Sequence, residues 1–186
     1  MADLRPSATI DAVVIAEPEV HTDRRGVFVE TWRRQWVPES REMVQANRAD
    51  RQAGSLVGLH YHLHQADFWY VTAGLARVVL HDLRIGSPTD GATESFDLGG
   101  DGTASHRGVY IPPGVAHGFA ALTDLTITYL VDRYYDPDDE LGLAWYDREV
   151  GADWSLSDPV LSDRDNANPL RSEIPDRLRP VHPGES

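Results

Sequence analysis

The sequence predicts an all-β domain, an antiparallel sandwich or barrel, from three observations. Short apolar runs recur at strand spacing between residues 56 and 132, Gly and Pro punctuate them, and no helical period of useful length interrupts them. With 186 residues the chain holds one full core and is too short for two domains of ordinary size. A single domain over residues 1–186 is therefore expected, with its barrel core at about 20–135 and a wrapping segment at about 136–186.

Residues 10–15 are an apolar run of strand length, and residues 21–26 carry turn chemistry before an alternating strand at 27–32 that places Glu30 on one face with Phe28 and Trp32. Residues 33–42, around Pro38, suit a short helical or irregular connection. Residues 43–47 read as a strand and the polar stretch 48–55 as a loop. From Gly58 to Gly74 the chain runs GLHYHLHQADFWYVTAG. An extended strand there puts His60, His62 and His64 on one face, and Phe68-Trp69-Tyr70 forms a second strand that ends at Gly74. Further strands fit residues 75–83, 92–98, 106–111, 116–121 and 125–131, with turns at Gly86-Ser87-Pro88, Gly99-Gly100-Asp101-Gly102 and Pro112-Pro113-Gly114. From Asp136 onward the chain becomes acidic, proline-rich and irregular.

Composition narrows the chemistry. The formal net charge of −13 opposes nucleic acid and anionic membrane surfaces, although a few local Arg residues can still hold a phosphate. There is no Cys, which removes disulfides, thiolate nucleophiles and Cys-ligated metals. All 17 basic residues are Arg, so Schiff-base chemistry on Lys is removed as well. Proton transfer falls to His, Asp, Glu and Tyr. No basic stretch leads into an apolar core at the N-terminus and no run approaches a membrane span, so a cytoplasmic location is expected.

The spacing H-x-H-x4-D-x6-G from His60 to Gly74, followed by P-x-G-x2-H ending at His117, resembles the paired motifs of the cupin superfamily, with Asp67 where Glu is usual. Seven fragments in order resemble one family in particular. They are Asp23-Arg24-Arg25-Gly26-Val27-Phe28-Val29-Glu30, Gln45-Ala46-Asn47, Gly58-Leu59-His60-Tyr61, Asp82-Leu83-Arg84-Ile85-Gly86-Ser87-Pro88-Thr89, Ile111-Pro112-Pro113-Gly114-Val115-Ala116-His117-Gly118-Phe119, Tyr134-Tyr135, and Leu161-Ser162-Asp163-Arg164-Asp165. Together they are similar to the nucleotide-diphosphate 4-keto-6-deoxysugar epimerases typified by dTDP-4-dehydrorhamnose 3,5-epimerase.

That resemblance implies a cupin-type jelly-roll barrel with an N-terminal strand arm and an irregular C-terminal tail, and isomerase activity in deoxysugar biosynthesis without a cofactor. It implies His60 as general base, Asp165 as its orienting carboxylate and Tyr134 as the acid that reprotonates the opposite face. Arg25 is similar to a nucleotide-phosphate ligand, and Glu30, Gln45, Asn47 and His117 match pocket positions. A homodimer is implied as well, with residues 10–15 crossing to the partner barrel and Arg25 near the partner's pocket.

Two positions depart from the family pattern. Val57 stands where an Arg is common, and Asp67 where a Lys that polarises the ketone is common. They keep a second reading open, in which His60, His62, Asp67 and His117 hold one divalent transition metal. A third is a non-catalytic protein that binds a sugar nucleotide. Each residue also has an ordinary use: interior His are usually hydrogen-bonded, strand-end Tyr cap cores, and Asp163-Arg164-Asp165 suits a solvated charge cluster.

Overall fold

Strands with one apolar face need a second surface to bury against, and this chain supplies one by shuttling between two antiparallel sheets. The computed structural model describes residues 2–100 and 106–184. In chain order the strands are β1 (Asp3–Pro6), β2 (Val14–Glu17), β3 (Val20–Asp23), β4 (Gly26–Val29), β5 (Gln45–Arg51), β6 (Leu56–Tyr61), β7 (Asp67–Ala73), β8 (Leu75–Asp82), β9 (Thr93–Gly99), β10 (Gly108–Ile111), β11 (Val115–Ala121), β12 (Leu125–Val131) and β13 (Leu141–Gly142), and one α-helical turn, α1 (Asp163–Asn166), follows. One sheet has the spatial order β1-β2-β10-β7-β12-β5 and the other β13-β6-β11-β8-β9, while β3 and β4 form a hairpin of their own. This is a jelly-roll arrangement. Among the described residues no helix is long and apolar enough to cross a membrane.

Side chains from both sheets meet in one core, with Trp69, Val71, Val109 and Ile127 from the first and Val78, Leu80, Leu98 and Phe119 from the second. The outer faces are also covered. Leu143, Val150, Trp154 and Ile174 of the C-terminal segment pack against Leu59, Val79, Ala116 and Ala120 of the second sheet. Trp36 and Val37 pack with Phe68, Tyr70 and Tyr110 of the first. Such four-layer burial explains why β11 is buried at every residue although only its alternate side chains face the inner core. The β7–β8 turn rests on Gly74, whose φ of +80° suits glycine and whose Cβ position would lie 2.1 Å from the Asp124 carbonyl oxygen.

The structure corrects several element boundaries. Residues 10–15 are not an unbroken strand: Ser7 Oγ accepts from the backbone N–H of Thr9 (3.0 Å) and Ile10 (2.9 Å), which holds a turn, and only Val14 onward extends. Nor is that run free to cross elsewhere. Ile10 and Val13 are buried in their own core, and β2 pairs with β1 and β10 of the same chain. The first half of the stretch read as a loop at 48–55 is instead strand, because β5 pairs residue by residue with β12 through Arg51. Its charged side chains mark it as a sheet edge, where they deter pairing with other chains. The strand expected at 27–32 stops at Val29; Glu30 pairs with Arg33, and Trp32 turns in so that its ring centroid lies 4.5 Å from that of Phe68, tilted by 53°. Asp101 and Gly102 of the expected turn at 99–102 lie outside the described residues.

One buried ion-sensitive group ties the tail to the second sheet. His81 is fully buried; Arg171 Nε donates to its Nε2 (3.1 Å), and its Nδ1 lies 2.8 Å from Thr93 Oγ1, which in turn donates to the Val150 carbonyl. Burial, with the Arg171 charge second, lowers its pKa to about 4. The unfolded chain therefore binds a proton that the native state refuses, so this contribution is intact above the ordinary His value near 6.5 and is lost as pH falls towards about 4. Urea unfolding from pH 7 down to pH 4 should show a loss on the order of 3 kcal/mol from this group, and His81→Gln should flatten that part of the profile. An unchanged pH slope in the variant would show that His81 does not carry it.

Candidate active site

Between the two sheets lies a cavity of about 380 Å³, within the usual range for small-molecule sites. Alternation along β5 presents Gln45, Asn47, Ala49 and Arg51 to it; Val57 and His60 come from β6, Trp69 from β7, His117 and Phe119 from β11, and Tyr129 and Val131 from β12. Tyr135, Asp136 and Glu140, from the chain beyond β12, complete the lining together with His62, Gln65 and Asp67.

His60 is held by the C-terminal segment. Ser162 caps α1 by accepting from the Asp165 N–H (3.1 Å), which turns the nearly buried Asp165 carboxylate to within 2.6 Å of His60 Nε2. Gly58 N–H also donates to Asp165 (3.4 Å). Burial pushes the Asp165 pKa up, but the hydrogen bond and charge of His60, with the Gly58 and Ser162 contacts, outweigh it and leave the pKa lowered. A carboxylate only accepts, so His60 carries its proton on Nε2 and keeps a lone pair on Nδ1, which lies 3.7 Å from the Glu140 carboxylate. That is the geometry of an imidazole base with a fixed tautomer.

Gly58 is what lets β6 and β11 meet here. Its φ is +110°, and a Cβ would lie 2.7 Å from the His117 carbonyl oxygen, so this position admits only glycine without displacing the strand that carries His117.

The three-histidine face expected from alternation is broken after Tyr61, where β6 ends. Asp139 causes the break: its carboxylate accepts from the N–H groups of Leu63 (2.7 Å) and His64 (3.2 Å), and its carbonyl accepts from His62 Nδ1 (2.7 Å). His62 is thereby buried towards the cavity, and His64 is exposed, with its carbonyl accepting from Arg41 and Arg133. His117 Nδ1 donates to the Val115 carbonyl (2.9 Å), and burial lowers its pKa to about 4, so it is neutral at neutral pH. Asp67 accepts from Trp69 Nε1 (3.0 Å) and Gln65 Nε2 (2.8 Å). The ligand atoms of His62, Asp67 and His117 all lie within 4.8 Å of one another. His60 has neither ring nitrogen within that distance of all three; the four-residue metal set expected from the sequence reduces to three.

Of the other expected site residues, Gln45, Asn47 and His117 line the cavity, and Gln45 Nε2 donates to Asn47 Oδ1 (2.8 Å). Tyr134 does not line it. It borders a separate surface depression with Val44, His64 and Asp132, and the adjacent Tyr135 reaches the cavity in its place. Arg25 and Glu30 also lie elsewhere in this chain. Arg25, 85% exposed, pairs with Asp23 at the hairpin turn (2.6 Å), and Glu30 pairs with Arg33. Sequence reasoning missed Arg51 because it read 48–55 as a loop; the i, i+2 period continuing from Gln45 and Asn47 was the available signal. Asp139 gave no signal, being one of three aspartates in Asp136-Pro137-Asp138-Asp139.

The comparisons with known proteins agree on one family. Residues 7–173 match the family model described as dTDP-4-dehydrorhamnose 3,5-epimerase. The chain is 36% identical over 182 residues to dTDP-4-dehydrorhamnose 3,5-epimerase of Methanothermobacter thermautotrophicus, covering 92% of this chain and 97% of that protein. It is 38% identical over 163 residues, 83% of its length, to the Neisseria gonorrhoeae protein of the same name, and that match spans about half (48%) of the relative. It superposes with a TM-score of 0.90 on the crystal structure of dTDP-6-deoxy-D-glucose-3,5-epimerase from Legionella pneumophila in complex with dTDP-4-keto-L-rhamnose, at 32% identity and with 98% and 99% of the two chains covered. A jelly roll whose cavity presents His60 on Asp165, matched by the family model over nearly its whole length, is that of a member of the dTDP-4-dehydrorhamnose 3,5-epimerase family.

Proposed function

We propose that the chain epimerises a nucleotide-linked 4-keto-6-deoxyhexose at C3, C5 or both, by moving protons on carbons beside the ketone, in deoxysugar biosynthesis. The observation that carries this is the His60–Asp165 pair at 2.6 Å on the wall of the cavity. His60 Nδ1 takes the carbon-bound proton, and Asp165 keeps Nε2–H in place and balances the imidazolium that forms. Tyr129 and Tyr135 are the two phenols on the cavity from which a proton can return, the role the resemblance implies for Tyr134. With one Gln45 N–H committed to Asn47, the Gln45 carbonyl and the Asn47 amide N–H groups remain for sugar hydroxyls.

Arg51 takes the diphosphate. Among the described residues lining the cavity it is the one side chain that is cationic at every relevant pH, and it stands on the same cavity as Val57, where the family commonly places an Arg.

The β3–β4 hairpin carries a second-copy contact in this reading. Phe28 is 65% exposed and Val27 58%, on a ribbon that pairs with neither sheet and bears Arg25 at its turn. Docked on a second copy, the hairpin buries those side chains and brings Arg25 to the partner's cavity, giving a two-fold dimer. The arm is thus this hairpin and not residues 10–15.

Incubation with dTDP-4-keto-6-deoxyglucose in D₂O should place deuterium at C3, C5 or both by NMR. Asp165→Asn and His60→Asn should each cost on the order of 10²-fold to 10⁴-fold in kcat. Tyr129→Phe or Tyr135→Phe should be similarly slow, whichever phenol returns the proton, with Tyr134→Phe close to the parent. No deuterium uptake by folded protein would remove the assignment, and ligand-dependent thermal stabilisation without exchange would make the chain a binding protein. Arg51→Ala should raise KM on the order of tenfold with less effect on kcat. In light scattering the parent should run at about twice the chain mass and Phe28→Asp at the monomer mass; a monomeric parent would end the dimer reading.

A further inference from the structure

His62 and Asp67 have no task in the chemistry above, yet both are buried on the cavity wall. We propose that His62, Asp67 and His117 form a binding site for one divalent transition-metal cation, held by two Nε2 lone pairs and one carboxylate oxygen.

The donor set is that of a two-His, one-carboxylate site, which suits Zn²⁺, Co²⁺ or Fe²⁺ with positions left open. Each imidazole has its Nδ1 committed to a backbone carbonyl, His62 to Asp139 and His117 to Val115, so both Nε2 atoms are free of a proton. His62 Nε2 lies 3.9 Å from Asp67 Oδ1 and His117 Nε2 4.0 Å from Asp67 Oδ2, and taking one ligand atom from each residue, all three lie within 4.8 Å of one another. Metal bonds of about 2 Å separate neighbouring ligand atoms by roughly 3 to 3.5 Å, so the site closes on an ion with a contraction of up to about 1 to 2 Å. Trp69 Nε1 donates to Asp67 from behind, as the outer partner of a ligating carboxylate does. His62 lies in the loop after β6, Asp67 opens β7 and His117 is on β11, so the loop and two strands bring them together.

One side chain stands in the way. The Gln65 amide nitrogen lies 3.1 Å from His62 Nε2 and donates to Asp67 Oδ1 at 2.8 Å, so it occupies two of the lone pairs an ion would use. Gln65 and the cation compete for the same place. A bound cation supplies Lewis acidity towards a carbonyl oxygen, on a wall where Asp67 has replaced a cationic residue common in the family. His117 faces His60 across the β11–β6 ladder, which sets the cation beside the proposed base.

The test uses the full chain without a His tag, loaded with Zn²⁺ or Co²⁺ and dialysed. Expected are about one ion per chain by mass spectrometry, a visible Co²⁺ absorption of low coordination number, and a Zn²⁺-dependent rise in Tm. Asp67→Asn and His117→Gln should each lose the ion, and Gln65→Ala should bind it on the order of tenfold more tightly, an increase that a merely structural hydrogen-bond cluster would not give. No ion on folded parent and folded Gln65→Ala would overturn the proposal, as would equal binding by Asp67→Asn, the mark of an adventitious surface site. Metal content is read without substrate, so a negative deuterium-exchange result leaves this outcome readable.

Discussion

The double burial of β11 is the constraint on which the rest of the molecule depends. Its inward side chains, Val115, His117, Phe119 and Ala121, belong to the space between the sheets, and its outward ones are Ala116, Gly118 and Ala120. Smallness on the outer side lets the C-terminal segment lie close: a Cβ on Gly118 would sit 2.9 Å from the Trp154 ring and 2.7 Å from the Val57 carbonyl oxygen. A larger residue would lift the segment whose later turn presents Asp165 to His60. Burial of Leu143, Val150, Trp154 and Ile174, worth roughly 1.5 to 3 kcal/mol each, is thus also what orients the imidazole.

The sandwich was legible because short apolar runs at strand spacing, bounded by Gly and Pro, are written along the chain. The strands at 75–83, 92–98, 116–121 and 125–131 sit within a residue or so of their observed bounds. Legibility failed where a local side chain overrules the pattern. Ser7 folds back residues that are apolar enough to extend, and Asp139, remote in sequence, ends the His strand at Tyr61. For the site, the residues on strands were readable through the family resemblance, since the Gln45, Asn47, His60 and His117 it implies all line the cavity. Tyr134 and Tyr135 were not separable, because they are adjacent, outside any strand, and told apart only by which way the chain runs after Val131.

The acidity of the chain is in good part structural. Asp132 accepts from the Ala66 N–H and from Arg41, and Asp147 accepts from the Glu149 and Arg171 N–H groups. Buried Asp82 shows the balance clearly: burial pushes its pKa up, but the Arg84 guanidinium and N–H and the Ser87 and Thr89 hydroxyls carry it down to about 2. Carboxylates here serve as acceptors for turns that lack regular partners. A net charge of −13 is therefore compatible with an anionic ligand, provided that the cavity itself keeps a cation such as Arg51.

His60 and Asp165 are separated by 105 positions along the chain, and the carboxylate rides on a four-residue turn near its far end. During synthesis from the N-terminus, the strands that wall the cavity emerge long before the group that gives the base its tautomer. A half-made chain holds a pocket with an undirected imidazole, able to contact a sugar but not equipped to exchange its protons. Docking of the last segment acts as a completion signal: competence arrives only once the outer face of the second sheet has been sealed.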